Sequence, residues 1–265
     1  VKLIETGPVL LSLEDGVGRL VLNRPEASNG MDVPFLRGLY DAIMTAHGQP
    51  ELRVLLITGE GPNFCAGGDV KTFASKGDAL PDYLREATSW LQVCVQGLLG
   101  LQAPVIAAVH GFAAGGGGFG LVCASDLVLA AESAKFMSGA TRVGMAPDAG
   151  SSVTLPQIVG VRKAMEIFLT NPTLTAADAL DIGLITRVVP DDRLLDEALE
   201  LARKLAAGAP RAQAATKRLV WSGIGGRVEA QLPEEARTVA ELSGTADARE
   251  GLAAVIERRR PVFGR

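Results

Sequence analysis

The sequence predicts an α/β fold in which strand–helix units form a core and a run of helices forms an extension. Three observations carry this expectation. Short β-prone runs at residues 9–13, 17–22, 54–58, 105–109 and 127–130 alternate with stretches of helical periodicity. After about residue 160 strand signals nearly vanish, and amphipathic helical patterns at 191–207, 210–221 and 229–243 take over. With 48% apolar and 21% charged residues, the 265-residue chain has enough apolar mass for a full core. We place the division between a core at residues 1–200 and a helical region at 201–265.

The elements follow in order. Glu14-Asp15-Gly16 joins the first two β-prone runs and is a strong hairpin signal, and Asn23-Arg24-Pro25 ends the hairpin. Asp32 is placed to cap a helix carrying Phe35, Leu36, Leu39 and Ile43 on one side and ending near Gly48. The buried strand at 54–58 runs into a loop, Gly59-Glu60-Gly61-Pro62-Asn63. Leu84, Trp90, Leu91, Cys94, Val95 and Leu98 recur at helical spacing, which predicts a helix over 81–101. The strand at 105–109 then leads into a glycine-rich loop, with a helix expected at 119–124. Residues 127–130 and 135–137 read as strands, and Pro147-Asp148-Ala149-Gly150 as a turn opening another helix.

Composition excludes several classes of function. A net charge of −4 disfavours nucleic acid, which needs a basic face. The cluster Arg258-Arg259-Arg260 ends a C-terminal helix, where cations complement the helix dipole. Cys65, Cys94 and Cys123 are odd in number and form no CxxC pair, which points to reduced thiols and to no zinc site. With only His47 and His110, a histidine-based dyad or metal cluster is excluded, so no metal is expected. The start lacks a signal-peptide core and no run reaches membrane-spanning length, so the expectation is a soluble cytoplasmic protein.

The chemistry is concentrated in two glycine-rich loops, each after a buried strand. In the second, Gly115-Gly116-Gly117-Gly118 sets four residues without side chains at a helix start. Glycine is entropically costly, so such a run implies close approach of a ligand to backbone N–H groups. The pattern Gly115-x-Gly117-x-x-Gly120 matches a dinucleotide fingerprint, but five residues separate Val109 from Gly115, against the tight turn that site requires. Neither a G-x-S-x-G elbow nor a phosphate-loop motif is present. What remains is an anionic oxygen held by backbone amides, which needs two donors. Phe64-Cys65-Ala66-Gly67-Gly68-Asp69-Val70-Lys71 supplies the second, or is simply a loop in which Asp69 caps the next helix.

Together the two loops resemble the enoyl-CoA hydratase/isomerase (crotonase) superfamily. Asn23-Arg24-Pro25, Cys65–Lys71, His110–Gly117, Ala124-Ser125-Asp126 and Glu132–Phe136 carry the resemblance, with 144–150 and 176–184 continuing it over nearly the whole chain. It implies a spiral of ββα units, a helical C-terminal trimerisation region, and homotrimers or dimers of trimers. It also implies an acyl-CoA substrate whose thioester oxygen is held by the N–H groups of Gly68 and of Gly116 or Gly117. Counting forward from His110 selects Gly116, and counting back from Asp126 selects Gly117. Ala66, Gly67, Asp69, Val70 and Lys71 would hold the adenine end and bent pantetheine of CoA, with Arg24 within reach of its phosphates or merely a loop arginine. No separate cofactor is implied, coenzyme A being part of the substrate.

The chain departs from the family's hydratases. Their two glutamates fall at Gly120 and Ala140, neither of which titrates. The nearest carboxylate is Asp148, either an N-cap or a catalytic group of the kind found in isomerase and dehalogenase branches. The first choice is therefore an enoyl-CoA or ring-epoxide acyl-CoA isomerase with Asp148 as proton shuttle. Hydration, a dehalogenase-like nucleophilic role for Asp148, and a non-catalytic CoA-thioester binder are the alternatives. Gln92 and Ala140 stand where dehalogenases carry histidine and tryptophan, against the nucleophilic route.

Overall fold

A computed structural model describes residues 1–264. In chain order the elements are β1 (Lys2–Ile4), β2 (Val9–Glu14), β3 (Val17–Leu22), α1 (Val33–His47), β4 (Val54–Gly59), α2 (Val70–Ala74) and α3 (Leu80–Gly100). Then come β5 (Val105–Val109), β6 (Phe112–Ala114), α4 (Gly115–Cys123), β7 (Leu127–Ala131), β8 (Lys135–Met137), α5 (Ser151–Val159) and α6 (Val161–Thr170). The chain continues through β9 (Leu174–Thr175), α7 (Ala176–Asp181), β10 (Arg187–Val189), α8 (Leu194–Ala206), α9 (Pro210–Gly223), α10 (Val228–Ser243) and α11 (Ala246–Glu257).

The main sheet runs β1-β2-β3-β4-β5-β7-β10 and a small second sheet runs β6-β8-β9. The β2–β3 hairpin pairs Glu14 with Val17, and Asp15 (φ 49°) and Gly16 (φ 79°) both take the left-handed conformation a two-residue hairpin requires. From β3 to β10 the neighbours are parallel. The central strands β4, β5 and β7 are almost wholly buried, as parallel strands covered on both faces must be.

The path repeats. β5 joins the main sheet, β6 the small one, and α4 returns; β7, β8 and α5 do the same. After β4, Cys65 supplies the second-strand position by bridging Ala113 before α2 and α3. These turns form the spiral of ββα units. Loops leaving β4 and β5 emerge at the same strand ends, the edge where α/β sheets bind ligands.

Several local expectations shift. The glycine run is not a loop before a helix at 119: Gly115–Gly118 are themselves the first turn of α4. Asp148 does not cap α5, whose N-cap is Gly150 in the left-handed conformation without a side-chain cap. The last helix ends at Glu257, so Arg258-Arg259-Arg260 lie beyond it, with Arg259 paired to Glu250 and Glu257. Residue 200 falls within α8, which packs on β4, β5 and β7, so the helices beyond the sheet begin with α9.

α9 is pinned to the core by a buried charge. Lys217 Nζ lies 2.9 Å from Asp126 Oδ2 and donates to the carbonyls of Leu98 (2.7 Å) and Ala103 (3.1 Å). Asp126 also accepts from Trp221 Nε1 and from the Val105 backbone, each at 2.7 Å. Burial lowers the Lys217 pKa, and the Asp126 carboxylate works against that shift. Among the described residues no helix is long and apolar enough to cross a membrane, and no cluster of His, Cys, Asp and Glu could hold a metal.

Candidate active site

The two glycine-rich loops meet at the mouth of one cavity. The loop after β4 is threaded between two strand-like neighbours. Cys65 N–H donates to the Phe112 carbonyl (3.0 Å) and Ala114 N–H to the Cys65 carbonyl (2.9 Å). On the other side Met31 N–H donates to Gly67 (2.8 Å) and Asp69 N–H to Met31 (3.0 Å). Gly68 N–H is skipped by this pattern and finds no acceptor among the described residues. Gly115, Gly116 and Gly117 head α4, where a helix leaves its N–H groups without intrahelical partners. Gly68 and Gly115–Gly117 all line the same cavity of about 830 Å³.

The four glycines are explained one by one. Gly115 has φ +61°, and a Cβ there would stand 3.1 Å from Gly67 Cα and 3.6 Å from Gly68 N. A Cβ on Gly116 would fall 1.7 Å from Asp148 Oδ1, on Gly117 2.7 Å from Met31 Sδ, and on Gly118 2.0 Å from the Cys65 carbonyl oxygen. The run lets three neighbours close on the helix start at once. Gly116 is half-buried and Gly117 buried, and both line the cavity.

Asp148 is the sole carboxylate among the described lining residues, in walls otherwise dominated by Leu36, Phe73, Leu84, Leu91 and their neighbours. Because Gly150 begins α5, its side chain is free to face Gly116. Burial pushes its pKa up, opposed only by a hydrogen bond from its own backbone N–H. A desolvated carboxyl against a helix start is equipped to accept and return a proton. Ala140 lines the cavity too, but Gly120 does not, and a Cβ at Gly120 would stand 2.4 Å from the Ala149 Cβ.

The segment after Cys65 borders a second opening of about 610 Å³, lined by Ala66, Gly68, Asp69, Val70, Lys71 and Arg24 among others. Gly67 stands behind it, buried. Asp69 caps α2 through the Thr72 N–H (3.1 Å) and accepts from Arg24 Nη2 (2.9 Å). Those hydrogen bonds and the Arg24 cation hold the Asp69 pKa below the usual range, although burial is the largest influence and opposes them. Arg24 further bonds Asp32 (3.1 Å) and the Gly30 carbonyl (2.9 Å), so its guanidinium organises the loop. Lys71 has no ion pair among the described residues.

Cys65 is fully buried and its thiol is pushed up to about 12, so it stays an unreactive packing group. His47 and His110 hydrogen-bond the carbonyls of Gly97 and Gly61, each at 2.9 Å. Sequence reasoning missed Asn29. It is buried with φ 54°, and its Nδ2 faces the carbonyls of Glu60, Asn63 and Phe64 at 2.9–3.0 Å, fixing the approach to Gly68. Its own neighbourhood, Ala27-Ser28-Asn29-Gly30, reads only as a turn.

Residues 12–265 match the family model for enoyl-CoA hydratase/isomerase. The chain belongs to the enoyl-CoA hydratase/isomerase family. It is 38% identical over 251 residues to a protein of Rhodobacter capsulatus named a probable enoyl-CoA hydratase, covering 95% of each chain. It is 36% identical to the 1,2-epoxyphenylacetyl-CoA isomerase of Escherichia coli, covering 96% of this chain and 97% of that one. The crystal structure of an enoyl-CoA hydratase from Polaromonas sp. JS666 superposes with TM-score 0.92 at 31% identity, covering 97% of this chain and 100% of that one. The crotonase fold and hydratase/isomerase chemistry on acyl-CoA thioesters thus stand for this chain.

Proposed function

We propose that this member of the family is an isomerase of unsaturated or ring-epoxide acyl-CoA thioesters. The observation that carries the reading is Asp148, the one carboxylate among the described lining residues, beside Gly116. Adding water by the two-carboxylate route requires one group to activate water and another to protonate carbon. A single carboxylate that removes a proton at one carbon and returns it at another moves a double bond with no change in composition. The electron pair released from the C–H bond passes to the thioester oxygen, where the N–H groups of Gly68 and Gly116 would receive it. Each such donor is worth about 3 kcal/mol, or roughly 10²–10³ in rate. We favour Gly116 over Gly117 because it is the more exposed of these two lining residues.

In this reading the Ala66–Lys71 segment takes the coenzyme, with Lys71 as the cation toward its phosphates and Arg24 holding the loop. The exposed apolar residues Leu252, Val255 and Ile256 of α11 support self-association as a homotrimer or dimer of trimers.

Purified protein incubated with 3-enoyl-, ring-epoxide and crotonyl-CoA, with products read by mass spectrometry, tests the proposal. Isomerised products of unchanged mass are expected from the first or second thioester. Fast gain of one water by crotonyl-CoA, unaffected by Asp148→Asn, would overturn it. A second expected outcome concerns Gly116→Ala. The new methyl displaces the Asp148 carboxyl, and turnover falls about 10²-fold, as for other misplacements of roughly 1 Å. Steady-state kinetics of the variant checks this, with affinity for free CoA expected to stay near wild-type.

A further inference from the structure

Part of the cavity wall is formed by residues 137–143, between β8 and α5, of which Ala140, Arg142 and Val143 line the space. The backbone bonds from Arg142 to Gly139, Val143 to Ala140 and Gly144 to Thr141 are internal to that turn and tie it to nothing else. The tie comes from Asn171. Its Oδ1 accepts the Gly139 N–H at 2.8 Å, and its Nδ2 donates to Thr141 Oγ1 at 2.5 Å. The Thr141 hydroxyl donates in turn to the Phe168 carbonyl at 2.7 Å. Two side-chain bridges thus stitch the wall to the last turn of α6.

The placement favours the wall over the helix. Asn171 ends α6 in the left-handed conformation (φ 48°, ψ 52°), which glycine adopts at no steric cost. Closing the helix therefore does not need the asparagine side chain, which is spent on Gly139 and Thr141. A Cβ on Gly139 would stand 3.9 Å from Gly115 N, so the clamped turn also reaches over the start of α4.

We propose that Asn171 and Thr141 are positioning residues that hold this wall rigid and thereby set how bulky an acyl group the cavity admits. The proposal rests on the reading that this cavity receives the acyl group of a CoA thioester. A fixed wall discriminates by size, one methylene being worth roughly 10-fold or more in a rigid pocket. Released from Asn171, the turn keeps its internal bonds and the single Thr141–Phe168 tie, and opens locally with less cost.

The test uses thioesters with no alkene or epoxide to isomerise, butyryl-CoA and the bulkier phenylacetyl-CoA, with affinities measured by calorimetry. Asn171→Gly keeps the left-handed helix end and deletes the clamp, and Thr141→Val removes the hydroxyl at nearly constant size. The expected result is an affinity ratio between the two thioesters that shifts about tenfold toward the bulky one in either variant. The double variant shifts it further than either single one, since the Thr141–Phe168 bond survives Asn171→Gly and the Gly139–Asn171 bond survives Thr141→Val. An unchanged ratio, or an equal loss for both thioesters, overturns the clamp while leaving the acyl-CoA reading intact. Failure of the unaltered protein to bind either thioester overturns that reading and the clamp with it.

Discussion

Asp148→Asn is expected to lower kcat by about 10²–10⁴, the range that one positioned acid–base group contributes. Asparagine preserves shape and the contact with Gly116, so acyl-CoA affinity stays near wild-type and the loss falls on kcat. The pH profile supplies a second signature. Burial raises the Asp148 pKa, so the acid limb of kcat/KM lies above the ordinary carboxylate range. The residual activity of the variant lacks that limb. The same burial carries a stability consequence of defined sign. A carboxyl whose pKa is higher folded than unfolded binds its proton more tightly in the folded state. Its ionisation therefore weakens the fold as pH rises from the unfolded value through the folded one. Relative to wild-type, Asp148→Asn should gain thermal stability at neutral pH and lose that advantage below about pH 4, near the unfolded pKa. Wild-type turnover in Asp148→Asn would assign the chemistry elsewhere in the cavity.

The sequence made the cavity's two glycine-rich walls legible because they are built mostly of backbone. Close approach needs room, room needs glycine, and Gly67-Gly68 and Gly115–Gly118 each follow a buried strand. The Asp15-Gly16 turn and the Asp32 cap were legible for a similar reason, since they are local devices with fixed spacing. What was not legible is set by distance along the chain. Nothing near Asp148 distinguishes an N-cap from a cavity carboxylate. That choice is made by Gly150, which takes the cap position in a left-handed conformation. The small sheet escaped as a unit because β8 and β9 have only three and two residues, too few for a period to register. Arg24 shows the same limit, because its partner Asp69 is 45 residues away and only the folded loop brings them together.

Lys217→Met is expected to destabilise the protein by about 3–5 kcal/mol, the range for removing one partner of a buried ion pair. The substitution keeps an unbranched apolar stem and deletes the ammonium. Asp126 is left without its cation, between Trp221 Nε1 and the Val105 N–H, and the carbonyls of Leu98 and Ala103 lose a donor. The lysine joins α9 to the end of α3 and the entry to β5, so its loss loosens the helical extension from the sheet. Chemical denaturation monitored by Trp221 fluorescence, which sits in the network, should show a lower midpoint. The double variant Lys217→Met/Asp126→Asn separates the pair's net worth from the penalty of a stranded charge. Burial depresses the Lys217 pKa despite the neighbouring carboxylate, so desolvation consumes much of the attraction. Neutralising both partners should therefore recover most of the stability lost in Lys217→Met. A double variant as unstable as the single one would mean that the hydrogen bonds to Leu98 and Ala103, and not the stranded carboxylate, dominate.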